Sequence, residues 1–184
     1  FSSTDMIILS VFCSTKLASV YSVYNMIFIA MTNLLDAVYN GVRFNLGQAY
    51  HDNLEKYKIT HDLFNSVFMG TMTSLICVAY MLTIPFIRIY TKGVNDINYI
   101  NQALPIMFCS IQLLSWSKYM AGNLMGLSGY AKKLSYISIV EAAINLTASI
   151  ILVQKFSIVG VLIATVLAQP IKSLYCNWVS DYQI

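Results

Sequence analysis

Apolar residues fall along this chain in blocks, and short polar stretches cut the blocks into lengths near the roughly 20 residues that one bilayer crossing needs. Six blocks are predicted: residues 1–13 (cut short), 18–40, 63–89, 103–127, 134–153 and 158–178. The separators are polar or turn-forming: Ser14-Thr15-Lys16, the long stretch 41–61, the loop from Thr91 to Asp96, the hairpin from Ser128 to Lys133, and Gln154-Lys155-Phe156-Ser157. The pattern predicts an all-α integral membrane protein, a bundle of six transmembrane helices. Within the long stretch, Tyr50, Leu54 and Tyr57 stand at i, i+4 and i+7 on one helical face. That spacing predicts a separate helix over about 44–60, lying in the headgroup region with its tyrosines at the interface.

Composition strengthens this reading. Of 184 residues, 58% are hydrophobic and only 10% charged, against about 25% charged in a soluble domain. Mean hydropathy is +0.65. Eleven basic and eight acidic side chains could not cover the wet surface of a soluble domain of this length, which also excludes a disordered chain. The net charge of +3 is small and dispersed, so no nucleic-acid partner is expected. Cys13, Cys77, Cys109 and Cys176 form no CxxC pair and read as small buried hydrophobes rather than metal ligands. No nucleophile elbow, HExxH or phosphate-binding loop occurs, so catalytic residues, cofactors and enzymatic activity are not expected. The chain opens on Phe1 without a basic n-region or a small-residue cleavage site, so the opening apolar run is not expected to be a signal peptide. The expectation is a fragment whose first hydrophobic segment is cut.

Basic residues suggest a sidedness. One set of loops holds Arg43, Lys56, Lys58, Lys132, Lys133 and Lys172, while the other holds Lys16, Arg88, Lys92 and Lys155. The excess places the 41–61 stretch, the Lys132-Lys133 hairpin and the C-terminus in the cytoplasm. Pro85 and Pro170, late in their spans, are expected as kinks that could act as hinges. Gly122 and Gly126 form a GxxxG step, read as a face for close helix packing.

Ionisable groups inside spans are costly and so point to function. Lys118 lies nine residues before Leu127, and Glu141 seven residues after Leu134. At 1.5 Å per residue these are roughly 13 Å and roughly 10 Å from the same end of neighbouring antiparallel spans. Their depths match. Two readings remain open: an ion pair holding two helices in register, or a pair in a wet cavity, with Lys118 meeting an anionic substrate and Glu141 coupling a cation or proton. Asp5, inside the first span of an intact helix, could line the same cavity. Asn145, with Asn25, Asn33, Gln112, Ser115, Ser117 and Asn123, adds polar groups to an interior expected to be wet in places.

Read in order, several segments resemble the second half of bacterial polysaccharide flippases, in the multidrug/oligosaccharidyl-lipid/polysaccharide exporter superfamily. They are Ser3-Thr4-Asp5-Met6-Ile7-Ile8-Leu9-Ser10 with Val20-Tyr21-Ser22-Val23-Tyr24, then the run from Ile84-Pro85-Phe86 to Ile97-Asn98-Tyr99. Gly129 with Lys132, Glu141 with Ile144-Asn145-Leu146, and Ile158-Val159-Gly160-Val161-Leu162-Ile163 with Thr165 continue the order. Ser157 and Ala164 depart, standing where that family usually has glycine. The resemblance implies the C-terminal lobe of a two-lobed exporter of six plus six or more helices, its first helix truncated. It implies the flipping of an undecaprenyl-pyrophosphate-linked repeat unit, of O-antigen or capsule type, across the bacterial inner membrane by alternating access. The implied partners are membrane lipid, the lipid-linked oligosaccharide and a missing N-terminal lobe. The implied coupling ion is H+ or Na+. A cation-coupled multidrug exporter and a non-transporting assembly subunit are the alternatives.

Overall fold

The computed structural model describes residues 2–94 and 96–183; Asn95 of the Thr91–Asp96 loop and Phe1 of the first block lie outside them. It is all-helical, about 90% helix with no strand among the described residues. Six elements follow one another: α1 (Ser2–Phe12), α2 (Thr15–Asp52), α3 (Leu54–Tyr90), α4 (Ala103–Ser117), α5 (Tyr119–Leu127) and α6 (Ala131–Gln183). Three of them, α2, α3 and α6, contain windows long and apolar enough to cross a membrane.

Exposure is inverted relative to a soluble protein. Ile59, Leu63, Met81, Ile89, Ile139 and Leu174 are all at least 65% exposed, whereas Asp5, Glu141, Asn145 and Gln169 are buried. Such an outer surface is stable against hydrocarbon and would be unstable against water. The core is aromatic. Phe108 of α4 sits between Tyr21 and Phe28 of α2, at ring distances of 5.3 and 5.2 Å. Trp116 reaches Phe68 of α3 at 5.4 Å and stacks on Tyr119 at 4.1 Å. These rings fasten α2 and α3 to the α4–α5 unit, while α6 packs on α1, α4 and α5.

The expected separate helix over 44–60 does not form. Residues 44–52 continue α2 and residues 54–60 open α3, with Asn53 the lone break. At φ −155° and ψ 113°, Asn53 is extended, and its Oδ1 accepts from Glu55 N at 2.9 Å and Lys56 N at 3.1 Å. One residue therefore ends one helix and caps the next. The tyrosines of the periodic face turn toward protein instead of headgroups: Tyr50 and Tyr57 meet edge-on at 5.2 Å, and Tyr50 bonds Ser128 at 3.0 Å. Leu54 is exposed, so the face is interrupted at the joint. With 38 residues, α2 is about 57 Å long, nearly twice the roughly 30 Å of a hydrocarbon core. The Gly122–Gly126 step is also not the packing face expected of it, because a Cβ at either position would stand in open space.

The long α6 is two arms folded back on each other. Its interior holds Ser157 at φ 53° and ψ −131°. Asn145 Nδ2 donates to Thr165 Oγ1 at 2.9 Å, although 20 residues of straight helix would separate them by about 30 Å. Gly160 lies against the backbone of Leu152, where a side chain has no room. The sharp change of direction thus falls at Ser157 and at neither Pro85 nor Pro170. Ser157 occupies backbone space that glycine enters freely, the residue expected there from the resemblance. Ser157→Gly is therefore expected to raise stability by about 1 kcal/mol, the relief of left-handed strain less the added chain entropy. Thermal unfolding in detergent measures it.

Candidate functional site

A polar cleft of about 340 Å³ opens on one side of the bundle, lined by residues of five helices. From α2 come Tyr21, Asn25, Ile29, Thr32 and Asn33, which fall on one stripe at helical spacing. From α4 come Gln112, Ser115 and Trp116, followed by Tyr119 at the start of α5. Asp5 of α1 and Thr165 and Gln169 of α6 close the inner wall.

The inner wall is a hydrogen-bonded cluster. Tyr21 donates to Asp5 Oδ2 at 3.0 Å. Asn145 donates to Thr165 Oγ1, whose own hydrogen is shared between the Val161 carbonyl at 3.2 Å and Asp5 Oδ2 at 3.5 Å. Gln169 Nε2 donates to Ser115 Oγ at 2.7 Å. Two acceptors stay without a donor: Asp5 Oδ1 and Gln169 Oε1, on residues 1% and 2% exposed.

Lys118 and Glu141 form an ion pair, Nζ to Oε1 at 2.8 Å, with side chains 12% and 3% exposed. Lys118 stands at the break between α4 and α5, so the interruption directs its side chain toward the first arm of α6. Glu141 and Asn145 are one turn apart on that arm. The structure therefore joins the predicted residues in two couples, Lys118 with Glu141 and Asp5 with Asn145 through Thr165. Pro85 is inside α3, and Pro170 follows Gln169 in α6.

Lys118 also borders a second pocket of about 310 Å³ with Arg43, Asn123 and Lys172. Because Glu141 neutralises Lys118, the net positive charge of that pocket comes from Arg43 and Lys172. Arg43 Nε donates to Asn123 Oδ1 at 3.1 Å, which leaves the buried Asn123 Nδ2 as a donor without a partner. Tyr119 lines both pockets, so the basic pocket lies next to the polar cleft. Sequence reasoning placed Arg43 and Lys172 only as loop charges setting sidedness. A helical-wheel test of Arg43 against Asn25 and Thr32 could have aligned it with the polar stripe of α2.

Among the described residues, no group of three or more His, Cys, Asp or Glu is placed to hold a metal ion. No family model, curated protein or solved structure matches this chain.

Proposed function

We propose that this chain is one lobe of an exporter in a bacterial cytoplasmic membrane, which flips an undecaprenyl-pyrophosphate-linked oligosaccharide by alternating access. The observation that carries the reading is a basic pocket set beside the polar cleft, on a bundle with many large apolar side chains exposed. A lipid-linked glycan needs both surfaces: hydroxyl-binding groups for the sugar and cations for the pyrophosphate. In this reading Arg43 and Lys172 meet the pyrophosphate and Asn123 adds a neutral donor. The six predicted spans make the lobe, with α4 and α5 as one broken span and the arms of α6 as two. The end bearing Arg43 and Lys172 is cytoplasmic, where the substrate is loaded, and the cleft faces the second lobe. A multidrug exporter for lipophilic cations fits less well with a basic pocket on the substrate path. An assembly subunit would have no need of an open polar cleft.

The test is complementation of a strain lacking its polysaccharide flippase, using the complete protein. Arg43→Ala with Lys172→Ala is expected to reduce surface polysaccharide at least about tenfold at unchanged protein level, since each lost charge-assisted contact is worth about 1.5–3 kcal/mol. Normal surface polysaccharide in that double variant would sink the pyrophosphate assignment, and failure of the parent protein to complement would sink the flippase reading.

A further inference from the structure

We infer that the cleft between α1, α2, α4 and α6 binds a neutral sugar, so that the glycan moved is uncharged at the residues this lobe holds. The inference rests on the flippase reading for the ligand being a glycan; the charge selection comes from the cleft itself. Its lining contains the carboxyl group of Asp5 and no Lys, Arg or His, although Arg43, Lys118 and Lys172 line the adjoining pocket. Cationic side chains are thus kept out of the cleft and concentrated next to it. What the cleft offers is side-chain amides and hydroxyls beside aromatic rings. Asn25 has no hydrogen-bond partner among the described residues, and Gln112 spends its Oε1 on Thr32 at 3.1 Å while its amide hydrogens stay unused. Tyr119, half-buried and backed by the buried Trp116 at 4.1 Å, adds an aromatic surface to the cleft.

The two acceptors without donors decide the sign of the selection. Asp5 Oδ1 and Gln169 Oε1 are buried in the wall and call for O–H or N–H groups from a ligand. Sugar hydroxyls and N-acetyl amides supply them. A uronic acid would instead bring its carboxylate to a wall holding a carboxyl group and an amide oxygen. It would be stripped of water there without a cation to meet it.

The experiment titrates the complete protein in lipid nanodiscs by calorimetry with diacetylchitobiose, a neutral N-acetylated disaccharide, and with the disaccharide of glucuronic acid and N-acetylglucosamine. The neutral disaccharide is expected to bind saturably at millimolar concentration and the acidic one at least about tenfold more weakly. Gln112→Leu should weaken neutral binding about tenfold, and Asn25→Leu, which breaks no internal hydrogen bond, should do so with folding intact. Lys155→Ala, at an exposed position that lines neither pocket, should leave it unchanged. Equal or tighter binding of the acidic disaccharide overturns the inference. So does neutral binding untouched by both cleft variants, or the absence of saturable neutral binding. Failure is separable from that of the flippase reading: export of acidic repeat units as readily as neutral ones would end this inference and keep the flippase. Cleft-dependent neutral binding without any export would do the reverse.

Discussion

Lys118→Ala is expected to destabilise the protein by about 3–5 kcal/mol, the range for breaking a buried ion pair from one side. The variant leaves the Glu141 carboxylate, with its side chain 3% exposed, facing the space where the ammonium stood 2.8 Å away. Glu141→Ala leaves Lys118, whose side chain is 12% exposed and whose longer stem can carry the charge outward, so its penalty is the smaller of the two. Replacing both residues with methionine removes both charges and keeps most of the volume. That double variant is expected to return to within about 1 kcal/mol of the parent or to exceed it. Unfolding of the detergent-solubilised protein, followed by circular dichroism, gives these values, and the Lys118→Ala/Glu141→Ala double variant closes the cycle that yields the coupling energy between the two sites. A near-additive cycle would contradict the pairing. Export by the methionine double variant then decides between the two readings of this pair: retained export makes it a structural clasp, and lost export in a stable protein makes it part of the transport path.

Gly160→Ala is the second large effect, expected to cost about 3 kcal/mol, the upper end of the usual overpacking range. A Cβ at this position runs into the carbonyl oxygen and carbon of Leu152 in the other arm of α6. Backbone cannot rotate away as a side chain can, so the arms must separate. Separation stretches the 2.9 Å bond between Asn145 and Thr165 and loosens Asp5, which Thr165 touches at 3.5 Å. Two readouts follow: a lower unfolding temperature, and faster reaction of a cysteine placed at Thr165 with a small polar maleimide. An unchanged unfolding temperature in Gly160→Ala would show that the two arms are not in close contact.

Helix geometry made some of this legible in the chain alone. Lys118 and Glu141 could be matched because an antiparallel hairpin turns residue counts into depths, and a rise of 1.5 Å per residue is nearly invariant. The apolar blocks likewise gave the helical class. The face of Tyr50, Leu54 and Tyr57 misled for a specific reason: periodicity shows that a face is covered without naming what covers it. Asn53 placed the joint where an uninterrupted helix was read, and α2, α3 and α5 themselves cover the tyrosines. The GxxxG step at Gly122 misled in the same way, since small residues permit close approach without requiring it. Arg43 and Lys172 were counted by side of the membrane, a measure that discards depth. The cleft itself was scattered over α1, α2, α4 and α6, and no local pattern brings Asp5 to Gln112.

The ion pair also orders the making of the protein. In the proposed topology, with α4 and α5 as one broken span, Lys118 emerges from the ribosome 23 residues before Glu141, so that span waits at the insertion machinery with an unmatched cation. A charge at mid-membrane costs roughly 2.5–3.5 kcal/mol even on the lenient insertion scale. The first arm of α6 brings the matching carboxylate, but it also brings Asn145, whose partner Thr165 lies beyond the turn at Ser157. The polar groups of these segments are satisfied together only once the chain has passed Thr165. Release into lipid is therefore favoured as one late event rather than helix by helix, and a nascent chain stalled between Glu141 and Ser157 should still be held at the translocon.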